Sequence, residues 1–578
     1  MIEAFSFDKG MNRRKSPLLL EEGENYTLSG FSFEHDGALE ARTAKTQSNA
    51  IDTDSGSTIN GIHRYIDSVV ASSKALCYGT DATFTSDGVT QPTFNYIYQR
   101  DKDASSFTNV GLLAGNTRPR MADYEKFIFM VDGESKRAYI DADEYEWGIA
   151  NPTLAPVVTA GAAGNPDGEY TCYVTFYIKF PNDKTYETGP SASATITLSS
   201  EACEWSRIPV CPYEGTGLII HRRLYRTVSG SAYLVDTIDD NTTTTYSDDV
   251  TDAALQAASA LGTSNYGPPP DYAVDICQYI QRVFLIKNNR LYWSEAYIPF
   301  GFLTTSSVVV TKEDEDLVSI VDWGDQLYIV SKERWYRLQG NDPDTWAIKR
   351  TFTDNGIINR HTVKKSKWGI LGLDWDGIYL FDGSTTKNLT ETILGKAFFT
   401  DLDDLSVCYA EFDGEKYYLY YASSDTTLDS CIVLDFTFGR SNIQAYVGDF
   451  VDAHEFYREG TTRYQAYDGY EYTEGGTETI TTSILTGDKA FGNIGQLKNL
   501  EYLYYDIDTN SKDVTVTFYV DGSSSFTLTL NHSSRTRARS EKLPQLEGYR
   551  FAIGIDCSDS QSLVIYSPWL LEGTPVGR

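Results

Sequence analysis

Histidine and methionine are scarce in this chain, with six His and four Met among 578 residues. The six histidines (His35, His63, His221, His361, His454 and His532) have no paired spacing and no HExxH, which leaves a zinc site or a His-based triad without support. GxSxG, GxxxxGK[ST] and the dinucleotide-binding fingerprint are absent, so nucleotide and nucleophile-elbow chemistry is not indicated. The eight cysteines (Cys77, Cys172, Cys203, Cys211, Cys277, Cys408, Cys431, Cys557) lack CxxC spacing. Cys203 and Cys211 are the nearest pair, and whether they bridge is open; scattered thiols fit a chain assembled in a reducing cytoplasm. No stretch approaches the roughly eighteen apolar residues of a membrane span. The opening MIEAFSFDKGMNRRKS lacks the basic-then-apolar run of a signal peptide.

Positive charge is also in deficit. Lys and Arg number 49 against 81 Asp and Glu, a net charge of −32. Gripping nucleic acid through its phosphates requires clustered cations, so that class is disfavoured. An acidic wall along which DNA slides without sticking stays compatible, although solubility alone also accounts for the acidity. The chain is rich instead in residues that suit a pleated, half-buried surface, with 41 Tyr and 27 Phe and an apolar content of 41%. No amphipathic helix long enough to organise a domain stands out. The composition reads as all-β.

Residues 367–383, KWGILGLDWDGIYLFDG, set the pattern: an apolar strand, an Asp376-Gly377 turn predicted as type I′, and an aromatic strand. The same unit recurs at 324–340, 280–296 and 124–141, at 411–421 leading into 430–436, and at 463–476 (RYQAYDGYEYTEGG). From Ile280 onward the period is about forty to fifty residues, which predicts propeller blades, six or seven in all.

In chain order, 1–60 reads as an extended arm that either donates a closing strand or reaches a neighbouring subunit. Residues 61–150 hold the first blades, and 269–476 the remaining ones. Between them, after the Pro/Gly/Ala-rich break at 151–168, the alternating runs of 151–268 predict an inserted immunoglobulin- or fibronectin-like sandwich that ends at YGPPP (266–270). The period stops near 477, and 477–578 reads as a C-terminal β-sandwich.

Candidate chemistry is thin. The acidic runs Glu313-Asp314-Glu315-Asp316 and Asp401, Asp403, Asp404 lack DxDxDG spacing and read as solvated loops rather than calcium sites. A glycosidase needs two carboxylates flanking a cleft. Asp374 and Asp376 around Trp375, and Asp322 before Trp323, are the candidates, but no Asp-box repeat accompanies them. Within the repeat, Asp376 belongs to the turn and Trp375 to packing between blades. The single RLYWSEA, with Tyr292-Trp293, does not make a YWTD propeller. Arg222-Arg223 beside His221, and Arg535, Arg537 and Arg539, are candidate contacts to phosphates or an acidic partner; pairing with the chain's own carboxylates is the simpler reading. No catalytic, cofactor-binding or metal-binding residue is assigned.

The order of parts resembles the tail nozzle proteins of short-tailed bacteriophages, also called tail tubular protein B, and the related head-completion or stabilisation proteins. The resemblance lies in KGMN…SPLLLEEGENYTLSGFSFEHDGALEAR (9–42), in the spliced EYTCYVTFYIKFPNDKTYETGPSASATITL…LYRT…AYLVDTI…TYSDD, in RLYWSEAYIPFGF (290–302) and in YQAYDGYEYTEGG. It covers most of the chain as an arrangement rather than a fingerprint. It implies a non-enzymatic virion protein, made in the host cytoplasm, that forms a hexameric ring below an adaptor ring. Such a ring conducts double-stranded DNA outward through a gated channel and carries fibres or spikes. It implies no cofactor and no catalytic residues. The rival readings are a propeller glycosidase and a glycan- or receptor-binding tail protein.

Overall fold

The computed structural model describes the chain except at 34–37, 43–44, 51–57, 67–72, 81–84, 87–88, 91–94, 102–106, 114–117, 125–126, 141–142, 214, 216, 263–265, 425–427, 440–442, 449–453, 460–461, 468–469, 475–478, 560–561 and 578. Over 45–113 and 454–474 it describes the strand backbones and few side chains. His35 lies outside the described residues. Among the described residues strand is the dominant regular structure, and the two α-helices, Asp252–Leu255 and Lys396–Thr400, are single turns.

Seven four-stranded antiparallel units follow one another along the chain. The first runs from Thr58–Ile66 to Thr108–Leu113 and the second from Arg120–Tyr124 to Asp143–Glu146. The third spans Asp275–Tyr279 to Ser307–Val309, the fourth Leu317–Trp323 to Ala347–Arg350, and the fifth Lys364–Ser366 to Thr386–Asn388. The sixth covers Tyr409–Phe412 to Gln444–Gly448. The seventh takes three strands from His454–Glu459 to Tyr470–Glu474, and its fourth is the N-terminal Lys45–Ala50, paired Glu474 to Lys45 and Thr473 to Thr46. First strands lie side by side between the second and third, third and fourth, fifth and sixth, and sixth and seventh units, and that of the seventh lies against that of the first.

Central strands are apolar on both faces because each unit is covered on both sides by its neighbours. Phe127–Val131 and Gly369–Asp374 are buried at every residue. Phe284, Ile286, Leu291 and Trp293 of the third unit meet Leu317, Ile329 and Leu338 of the fourth. Trp335 of the fourth unit then stacks on Phe381 of the fifth at 4.3 Å and 9°.

The hairpin at 367–383 is present but turns differently from expectation. Asp374 pairs with Gly377, so the two turn residues are Trp375 and Asp376, and none of these four has a positive φ. Gly377 is required for another reason: a Cβ there would meet the Asn388 side chain at 2.5 Å and Thr390 Oγ1 at 2.7 Å. Positive-φ turns occur instead at Gly324-Asp325 and Ile280-Gln281. Trp375 is 58% exposed and does not pack between units.

The insertion forms one hydrogen-bonded six-stranded sheet rather than two separate sandwich sheets. Val157–Lys179 is a single 23-residue strand that pairs with Ala194–Ser206 from Val157 to Cys172 and with Ile219–Val228 from Cys172 to Lys179. Its register shifts between Ala160 and Ala163 and again between Ala163 and Asp167. The Gly/Ala/Pro stretch read as a break in the chain therefore bends a strand instead of ending it, as bulges do. The bent sheet closes over Tyr170, Cys172, Val174, Trp205, Leu224 and Leu255. Its base is pinned to the second and third units by Phe180, which stacks on Phe300 at 4.7 Å and meets Phe127 edge-on at 5.1 Å.

The C-terminal sandwich pairs two sheets, and the first 41 residues supply strands to both. Ile2–Phe5 borders Trp569–Pro575, and Leu39–Ala41 pairs with Val564–Ile565. In the opposite sheet Asn25–Ser29 lies antiparallel to Thr482–Thr486 on one side and parallel to Gln444–Gly448 on the other, which makes the sixth unit continuous with the sandwich. The expected extended arm is thus woven into the molecule. Phe5, Phe7, Phe31, Leu503, Phe518 and Trp569 share one core with Leu371, Tyr409 and Leu419 of the fifth and sixth units. Among the described residues no helix is long and apolar enough to cross a membrane.

Candidate functional site

The segments that lead into the first strands of the second to sixth units converge on a cavity of about 580 Å³. Arg118, Val274, Leu317, Arg360 and Val407 each come from a different unit's entry segment. The charged residues lining it are Arg118, Lys332, Arg360 and Asp316, three cations and one carboxylate. This basic spot sits inside a chain of net charge −32.

Arg360 opens a 3-10 turn, Arg360–Thr362, whose position is heavily determined. The cap residue Asn359 donates through Nδ2 to the carbonyls of Ser406 (2.7 Å) and Cys408 (2.6 Å). Tyr417 Oη donates to Thr362 O at 2.7 Å, and Thr362 Oγ1 accepts from Leu373 N. Arg360 Nε is buried and has no hydrogen-bond partner. Burial lowers the pKa of the Arg360 guanidinium, with Asp275 and Asp132 opposing and Arg120 reinforcing the effect. Burial, together with Arg360, Arg118, Arg120 and Lys364, holds the neighbouring His361 imidazole well below its ordinary value, and so neutral.

The nearby carboxylates are already engaged. Asp275 accepts from Arg120 Nε at 2.7 Å, Ser319 Oγ at 2.5 Å and the Ile320 and Ile276 amides. Glu411 accepts from Lys364 Nζ at 2.5 Å and from the Tyr409 hydroxyl. The Arg118 guanidinium lies 3.7 Å over the Tyr409 ring, a cation–π contact. None of these cavity cations was singled out from sequence. Their signal is weak: RPR and NRH tracts that directly precede inner strands.

The carboxylates that were singled out do not assemble. Asp374 is buried, accepts from its neighbour Trp375 N at 2.8 Å, and is pushed up to about 6 by burial, reinforced by Asp376. Asp376 accepts from Tyr379 Oη at 2.9 Å within the same hairpin, so the two acids share one turn instead of facing each other across a cleft. Asp322 pairs with Lys365 at 2.8 Å, and Trp323 Nε1 donates to Ser366 O at 2.8 Å, which links the fourth unit to the fifth. Glu315 accepts from Ser331 Oγ, and Asp404 caps Ser406 N at 2.7 Å. Among the described residues no group of three or more His, Cys, Asp or Glu is placed to hold a metal.

The basic spots are spent on the chain's own acids. Arg222 pairs with Asp240 at 2.9 Å, His221 with Asp239 at 2.9 Å, and Arg223 with Glu187 at 2.6 Å. Arg226, fully buried, pairs with the equally buried Asp248 at 2.7 Å and with Asp252 at 2.9 Å. Asp506 takes a two-pronged contact from Arg535 (2.9 and 2.8 Å) and a third from Arg537 (3.1 Å), while Arg539 lies over Tyr502. Cys203 and Cys211 are both free, buried thiols, and the thiol partner of Cys203 is Cys172.

A second concavity, about 600 Å³, opens between the third and fourth units. Trp293 and Trp346 meet edge-to-face in it at 4.9 Å, beside Arg282, Glu295, Asp342 and Asp344. The Trp346 Nε1 is buried without a partner.

No family model and no curated protein matches the chain. Among solved structures, the computationally designed Ika8 protein aligns over 74% of this chain and 99% of its own, at 6% identity and a TM-score of 0.31. An exo-beta-1,3-galactanase from Phanerochaete chrysosporium aligns over 92% and 100%, at 11% identity and a TM-score of 0.21. A glycoside hydrolase family 43 arabinoxylan arabinofuranohydrolase from Bacillus subtilis aligns over 90% and 96%, at 8% identity and a TM-score of 0.18.

Proposed function

We propose that the chain is a non-enzymatic structural subunit of a short-tailed phage tail, a nozzle protein whose seven four-stranded units are the blades of one β-propeller. In this reading six copies form a ring on the adaptor, bear fibres or spikes, and pass double-stranded DNA through the gated channel between them. The observation that carries the reading is the order of parts. Seven units run in sequence with an insertion between the second and third, and a terminal sandwich is sewn from both chain ends. The spent state of the candidate acids and arginines agrees with a scaffold role. So do large apolar side chains left in solvent, with Phe352 at 92% and Leu19 at 70% exposure. Analytical ultracentrifugation and negative-stain imaging, with the cognate adaptor ring present, test this. Rings of uniform size stacked on the adaptor are expected. A chain that stays monomeric with the adaptor and hydrolyses a glycan, losing that activity on Asp374→Ala, sinks the reading.

The groove at Trp293 and Trp346 supports a second reading, a glycan-binding tail protein, because aromatic faces beside carboxylates and an unpartnered indole N–H suit a sugar. Quenching of Trp fluorescence by host-surface glycans, abolished by Trp346→Ala, distinguishes it. No response from wild type across such a panel removes it.

A further inference from the structure

We infer that Cys172 and Cys203 are a site of covalent closure: in an oxidising medium they form a disulfide that locks the bend of the insertion. The inference rests on the insertion alone and not on the nozzle reading. Cys172 lies opposite Arg226 across one strand pair, and Cys203 lies opposite Asp248 across another. Directly opposed residues of a sheet send their side chains to the same face. The Arg226–Asp248 ion pair, at 2.7 Å, joins these two cross-strand pairs face to face, and all four residues are 0% exposed. The two thiols meet beside that ion pair, within hydrogen-bonding reach of each other. They share the insertion's core with Val174, Trp205 and Leu224. Cys211, nearer to Cys203 in sequence, belongs instead to the core at the base of the insertion, with Phe180 and Phe300. The fold gives Cys203 the distant partner.

The placement of the pair decides what the bond does. Cys203 faces Ala160, on one side of the register shifts between Ala160 and Asp167, and Cys172 lies on the other side. A bond between them spans the bend and fixes the angle between the two arms of the 23-residue strand. Closing the chain between them also removes conformations from the opened insertion, which favours the folded module. The chemistry is exchange with a small disulfide such as oxidised glutathione. One cysteine thiolate attacks the reagent and releases a glutathione thiolate; the other then attacks the mixed disulfide and releases a second. The two protons lost by the cysteines are taken up by the two glutathione thiolates, so atoms and electrons balance. Neither thiol is exposed, so exchange requires transient opening of the sheet and quickens wherever the insertion loosens.

The experiment incubates the full chain with oxidised or reduced glutathione, with and without mild urea. Free thiols are then blocked and the unreduced peptides are mapped by mass spectrometry. A peptide linking Cys172 to Cys203 is expected in the oxidised samples only, with two of the eight thiols lost and faster formation in urea. Protease should then cut the 157–248 sheet severalfold more slowly, and dithiothreitol should restore the original rate. Cys211→Ser should keep both the link and the protection, and Cys203→Ala should lose both. A link between Cys203 and Cys211 overturns the assignment, as do eight titratable thiols after oxidation in mild urea. A Cys172–Cys203 link that leaves the cleavage rate unchanged overturns the lock. If Cys203→Ala does not fold, the peptide map and cleavage rates of the wild type decide alone.

Discussion

Asp374 shows how a residue with the marks of catalysis can be a product of the fold. It ends a strand buried at every position, and closure of the hairpin draws its carboxyl out of water. Burial and Asp376 raise its pKa from 3.8 to about 6. A raised carboxyl is what a general acid needs, but the partner acid lies two residues away in the same turn. The linkage has a definite sign. The folded state binds this proton more tightly than the unfolded chain, so the group's contribution favours folding below pH about 4 and is lost as pH rises toward 6 and beyond. Asp374→Asn keeps an oxygen for the Trp375 amide and cannot ionise. Its Tm relative to wild type should rise between pH 4 and 7 and then level off. A difference independent of pH across that interval would show that Asp374 titrates alike in both states.

At the scale of elements, the hairpins were legible, and the closing strand only as one of two alternatives for the arm. The runs at 124–141, 280–296, 324–340 and 367–383 each contain the central hairpin of a unit, because apolar strands around a short polar turn leave a local signature. The β character expected for 477–578 is likewise present, in Lys498–Asp508, Val514–Val520 and Ser523–Leu530. The pairing of Lys45–Ala50 with Tyr470–Glu474, more than four hundred residues downstream, left no local trace. Nor did the cavity, since Arg118, Lys332 and Arg360 meet only when their units close side by side. The strands of the insertion were legible, but the continuity of its sheet was not: Gly161, Gly164 and Gly168, in the stretch that reads as a break, lie within one bending strand. Its junction makes a prediction. Gly148 has φ of +111°, and a Cβ there would meet Pro269 at 2.4 Å and Pro268 at 2.6 Å, where the chain leaves for and returns from the insertion. Strain and collision combine, so Gly148→Ala should cost on the order of 1–3 kcal/mol. It should also speed proteolytic cleavage near 266–270, whereas Gly522→Ala, which meets nothing within 4 Å, tests positive φ without the collision. Equal losses from the two changes would remove the prolines from the account.

For the molecule as a whole, the first fifty residues act as the closure. They supply the fourth strand of the seventh unit, the strand that joins the sixth unit to the sandwich, and three further sandwich strands. Met11 N donates to Ala445 O at 2.6 Å, and the terminal ammonium donates to Gly573 O at 2.8 Å, so the segment is tied along its length. Its apolar residues Phe5, Phe7, Leu28, Phe31 and Phe33 belong to the largest core, while the insertion keeps a core of its own around Trp205. Removing 1–50 should therefore damage the molecule unevenly. It strips an edge from the seventh unit and exposes unpaired strands in both terminal sheets, the condition under which sheets aggregate. The 157–248 sheet, independent of that core, should persist as a protease-resistant fragment. A synthetic 1–50 peptide added during refolding should restore solubility, because the strands it offers have vacant partners. Calorimetry and limited proteolysis decide the matter. If the truncated chain unfolds in one transition at the wild-type Tm, the N-terminal strands are ornamental to the fold, and the closure lies wholly in the packing of first strands against one another.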